Sequence, residues 1–128
     1  MQPKKIGIGI VVIIVIGIIV ASVGGSSGGA PSNAVVNNAP GSSTPGCEPD
    51  CFIPTTATIR AGGTITWMNG DTAAHTATAG TATGGPSGVF DSSLIMAGGS
   101  YSHTFEAAGT FDYFCMVHPW MSGVVIVR

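Results

Sequence analysis

A thiol, an imidazole and a thioether follow one another at intervals of three residues in the segment Cys115-Met116-Val117-His118-Pro119-Trp120-Met121. Cys and His alone would suit zinc, but zinc prefers closed sets of Cys, His and carboxylate and gains little from a thioether. One Cys and two His in a trigonal set, with a weak axial Met, suit a copper ion that cycles between two oxidation states. Such a set needs a second His, and only His75 and His103 remain. His75 comes after Trp67-Met68-Asn69 and the turn signal Asn69-Gly70-Asp71, at a strand–loop junction where a ligand can face inward. His103 falls mid-strand between Tyr101 and Phe105 and reads as a partly buried imidazole on an otherwise apolar strand face. The candidate metal ligands are therefore His75, Cys115, His118 and Met121.

The elements that must position these side chains are short alternating runs broken by Gly. Ala57-Thr58-Ile59 leads to the turn Ala61-Gly62-Gly63, and Thr64-Ile65-Thr66-Trp67 alternates polar and apolar residues. His75-Thr76-Ala77-Thr78 follows, then a loose Gly/Thr stretch from Gly80 to Gly88, Val89-Phe90, and the turn Ala97-Gly98-Gly99. Tyr101, His103 and Phe105 share one face of a strand, with Ser102 and Thr104 on the other. Gly109 opens the run that ends at Cys115, and Val124 to Val127 closes the chain. Short strands with regular turn signals and no helical period predict an all-β sandwich or barrel.

Composition divides the chain into three parts. Residues 1–46 hold no acidic and no aromatic side chain, whereas both Trp, both Tyr and all five Phe lie at or beyond Phe52. The predicted organisation is an N-terminal anchor over 1–23, a flexible linker over 24–46 and a copper domain over 47–128. Ile6 to Val23 is uncharged and dominated by Ile and Val; as a helix it would span about 27 Å, close to a bilayer's hydrocarbon core. Lys4 and Lys5 precede it and no basic residue follows until Arg60, so the positive-inside rule places the rest of the chain outside the cytoplasm. A cleaved signal peptide is the competing reading, with Ala21 and Ser22 small enough for cleavage. Gly24 to Gly46 is Gly, Ser, Pro, Asn, Ala, Thr and two Val, which is linker composition. Beyond it, Arg60 and Arg128 face six acidic residues, which argues against a nucleic-acid partner. Cys47 and Cys51 flank Pro49; in an oxidising compartment they would form a local disulfide, the alternative being a second metal site. Cys115 is then the odd cysteine.

From Phe52 to Arg128 the chain resembles the plastocyanin/amicyanin group of cupredoxins. The resemblance rests on Gly63-Thr64-Ile65-Thr66-Trp67-Met68-Asn69, His75, Phe90-Asp91-Ser92, Tyr101 to Phe105, Gly109-Thr110-Phe111-Asp112-Tyr113, and the Cys-x2-His-x2-Met loop, whose spacing is the short amicyanin one. It implies a Greek-key β-sandwich holding one type 1 blue copper through His75, Cys115, His118 and Met121. The implied protein is a carrier of single electrons and not an enzyme. Its expected partners are transient redox proteins, membrane-bound respiratory components among them, met through an apolar patch of Met116, Pro119 and Trp120 around His118. A copper delivery or storage module is the alternative. Two positions depart from the pattern. Thr76 stands where those families have Asn, and its hydroxyl is expected to bind the two ligand segments less well. Val117 stands where they have Pro, and its N–H is expected to reach the Cys115 sulfur, the alternative being a neutral surface replacement whose N–H faces solvent.

Overall fold

The structure, a computed structural model, describes residues 29–128, and the expected anchor from Ile6 to Val23 and the start of the expected linker lie outside them. The described residues form nine strands in chain order: β1 (Asn33–Asn38), β2 (Phe52–Ile53), β3 (Thr56–Ile59), β4 (Gly63–Asn69), β5 (Thr78–Thr81), β6 (Gly85–Asp91), β7 (Ser100–Phe105), β8 (Gly109–Phe114) and β9 (Ser122–Val127). They form two sheets, one ordered β2-β1-β4-β7 and the other β3-β9-β8-β5-β6. No helix among the described residues is long and apolar enough to cross a membrane.

In β4, Gly63, Ile65, Trp67 and Asn69 point inward, and in β9 Gly123, Val125 and Val127 do the same. The inner faces meet in an aromatic cluster: Trp67 lies 5.2 Å from Phe90 and 5.3 Å from Tyr113, ring centre to ring centre. Burial of such rings supplies most of the core's stabilisation. On the outer face of the first sheet, Thr64 meets Thr104 at 2.8 Å and Thr66 meets Ser102 at 2.7 Å, cross-strand pairs that fix the β4–β7 register.

Two stretches differ from the sequence expectation. Much of the expected linker is folded: β1 pairs in parallel with β4 from Asn33↔Thr64 to Asn38↔Asn69, and Val36 is fully buried. Linker composition measures apolar area over the whole segment, but a strand docked beside β4 has its backbone satisfied by its neighbours and needs only one large inward side chain. The folded unit therefore begins at Ser32 and not at Cys47. Secondly, the loose Gly/Thr stretch is the β5–β6 hairpin, with a register shift between Thr78 and Gly80. Most β6 side chains are exposed, so no alternation marked it. Cys47 and Cys51 form the expected disulfide, which leaves no free thiol there for a second metal.

Candidate metal centre

Cys115 directly follows β8, and the loop from Cys115 to Met121 turns back into β9. The loop closes on itself: Cys115 N–H donates to the Met121 carbonyl (3.1 Å), His118 N–H to the Cys115 carbonyl (3.3 Å) and Met121 N–H to the His118 carbonyl (2.9 Å). Three expected donors are thereby held within one turn. His75 arrives from the loop between β4 and β5, where its backbone exchanges two hydrogen bonds with Ile95. Cys115, Met121 and His75 are fully buried, and His118 is half-buried.

The side chains converge. His75 Nδ1 and His118 Nδ1 lie 3.1 Å apart, and the Cys115 Sγ is 3.8 Å from the first and 3.6 Å from the second. On the far side of the His75 ring, Nε2 is 2.7 Å from Asp71 Oδ2. Burial pushes the Asp71 carboxyl up, but hydrogen bonds from His75, Gly41 and Thr72 outweigh it and hold the group below the usual carboxylate range. An ionised carboxylate can only accept, so Nε2 carries the His75 proton and Nδ1 turns a lone pair towards the other donors. Burial lowers the His118 pKa, which favours the neutral imidazole a metal requires. Two ring lone pairs and a sulfur facing one another at these separations fit a single shared cation. His103 does not join them. It packs against Phe90 at 5.1 Å and Phe105 at 4.7 Å, and burial lowers its pKa, as for a core imidazole.

Of the two departures noted in the sequence, Thr76 joins the ligand segments and Val117 does not reach the sulfur. Thr76 N–H donates to the Cys115 sulfur (3.3 Å) and its hydroxyl accepts the Met116 N–H (2.9 Å). The same hydroxyl meets Thr78 Oγ1 at 2.8 Å, and Thr78 reaches Asp91 Oδ1 at 3.3 Å. Asp91 fixes the direction of this chain: Thr78 donates to it, Thr76 donates to Thr78, and Thr76 is left free to accept from Met116. A Thr does tie the two ligand segments. The Val117 side chain is half exposed, and among the described residues no hydrogen bond joins its N–H to the sulfur. The sequence also pointed to no role for Asp71, although it stood in the turn signal before His75.

The family model described as copper binding proteins, plastocyanin/azurin family, matches residues 51–128. The chain belongs to this family. Among curated relatives, this cupredoxin is 35% identical over 83 residues to amicyanin from Paracoccus versutus, a match covering 65% of this chain and 62% of that protein. It is 35% identical over 95 residues to plastocyanin from Scenedesmus fuscus, covering 60% of this chain and 86% of the relative. The chain thus spans less than two thirds of the length of that amicyanin. Among solved structures, a purple cupredoxin from Nitrosopumilus maritimus superposes with a TM-score of 0.69 at 28% identity, covering 74% of this chain and 99% of that one. The cupredoxin's set of His75, Cys115, His118 and Met121 is compatible with one type 1 copper.

Proposed function

We propose that this cupredoxin is a single-electron carrier in which His75, Cys115, His118 and Met121 hold one copper. The chain is tethered to the cell membrane by Ile6 to Val23, with the copper domain on the extracytoplasmic side. The observation that carries the reading is the convergence of two imidazole nitrogens and a buried sulfur within 4.8 Å of one another, next to a fully buried Met121. Bound there, copper would supply a one-electron Cu(II)/Cu(I) couple. The residues around it limit rearrangement: the 115–121 loop is closed by its own backbone bonds, and His75 is fixed at both its backbone and its ring. Four donors leave no open position for a substrate, which supports a carrier over an enzyme.

Exchange with partners is assigned to the half-buried His118 edge. Met116, Val117 and Pro119 beside it are exposed, and Leu94 and Met96 are exposed on either side of the His75 bridge partner Ile95. A small apolar surface of this kind suits brief encounters with redox proteins, including membrane-bound respiratory components. The test is the visible and EPR spectrum of the copper-loaded chain. An intense blue band is expected, and Cys115→Ser should abolish it; a copper-loaded wild type without a strong visible band would refute the reading. Reversible voltammetry at constant copper content separates electron transfer from delivery, in which copper would leave on reduction. The tether is tested by the intact mass of the natural protein, expected to include residues 1–23. A mature start between Ala21 and Ala30 would overturn it.

A further inference from the structure

We propose that Asp71 is a positioning residue of the copper site, its buried carboxylate fixing the His75 ring and lowering the reduction potential. The proposal rests on the copper reading above. The Asp71 side chain is 3% exposed and its Oδ2 lies 2.7 Å from His75 Nε2, on the edge of the ring opposite the converging donors. Its other oxygen, Oδ1, accepts the Gly41 N–H at 2.9 Å. The turn that carries it is braced as well: Asp71 N–H donates to Asn69 Oδ1 at 2.9 Å, while Asn69 Nδ2 donates to the carbonyls of Ala73 (2.8 Å) and Ile95 (2.9 Å). Ile95 is in turn the backbone partner of His75. Both carboxylate oxygens therefore have donors, and the group cannot swing away without breaking one.

Two consequences follow from this geometry. A proton held on Nε2 excludes the tautomer with a proton on Nδ1, which would have no lone pair to offer a metal. A carboxylate accepting that proton also pushes electron density through the ring to Nδ1, and this favours the more positive metal ion. Gly41, which gives its N–H to Asp71, lies before the part of the chain that matches the family. The N-terminal segment thus takes part in orienting a ligand.

The experiment compares the copper-loaded full-length wild type with Asp71→Asn, which keeps the volume and removes the charge. The blue band should persist while affinity for Cu(II) relative to Cu(I) falls about tenfold, an upward shift in midpoint potential of about 59 mV for one electron. A potential equal to or below that of wild type overturns the proposal, even if the variant unfolds more readily, because a purely structural carboxylate would change stability alone. Should the variant fail to fold, nitrogen–proton NMR of the wild-type apo protein decides. The His75 proton is expected on Nε2, slow to exchange with solvent, and a proton on Nδ1 overturns the assignment. A wild type that takes up copper without a blue band refutes the parent reading separately.

Discussion

Thr76 gives its N–H to the Cys115 sulfur and takes the Met116 N–H at its hydroxyl, so one residue joins the two ligand segments, with Thr76 and Met116 40 positions apart in the sequence. Thr76→Val keeps the shape and the N–H but leaves Met116 N–H and the Thr78 hydroxyl without that partner. Unfolding of the apo protein by urea should show a loss of about 1–3 kcal/mol, with the blue band of the loaded protein little moved; an unchanged midpoint would contradict the role given to the hydroxyl. The donor residues themselves were legible because chemistry restricts them: few sets other than copper's use a thioether beside a thiolate and imidazoles. His103 was legible as a partly buried imidazole from its strand phase. Asp71 was not, because its effect depends on how a turn folds, and a spacing of four residues outside a helix does not bring side chains together. The part Thr76 plays was not legible for a related reason, since its hydroxyl is oriented through Thr78 and Asp91.

Strands β8 and β9 pack so closely that Gly123, opposite Tyr113 in the register, has no room for a side chain: a Cβ there would run into the Tyr113 ring and hydroxyl. Gly123→Ala should therefore cost about 1–3 kcal/mol by overpacking. The loss is measurable as a lower thermal midpoint of the apo protein; full stability would mean that the ring moves aside at little cost. The strands with one face in the core announced themselves, β4 and β7 by alternation and β9 by its apolar run from Val124 to Val127. The β5–β6 hairpin did not, because most β6 side chains are exposed and the hairpin is held largely by backbone pairing, β6 to β5 and β5 to β8. Strand β1 was hidden likewise: Ala34, Val36 and Asn38 face inward, and only Val36 of these is large and apolar.

For the whole domain, the decisive difference from the sequence reading is its N-terminal limit. Two truncated chains test it, one starting at Ser32 and one at Cys47. The longer should melt as the full chain's domain does. The shorter loses Val36, leaves β4 without its neighbour, and removes both Gly41 from Asp71 and the Ser42 carbonyl that accepts the Trp120 indole N–H at 2.9 Å. It should melt more than about 10 °C lower or fail to fold; equal melting of the two would contradict the extended domain. The parallel pairing of β3 with β9 carries a kinetic consequence. Thr56 is registered with Val124, so this sheet cannot close until residues far apart in the chain have found each other. Such non-local pairing places folding in the range of about milliseconds to seconds, not microseconds. Cys115 to Met121 leads directly into β9, and His75 lies inside the loop that β9 closes. The cavity for the ion is accordingly among the last parts of the molecule to take shape, and metal that arrives earlier meets separate ligands on an open chain.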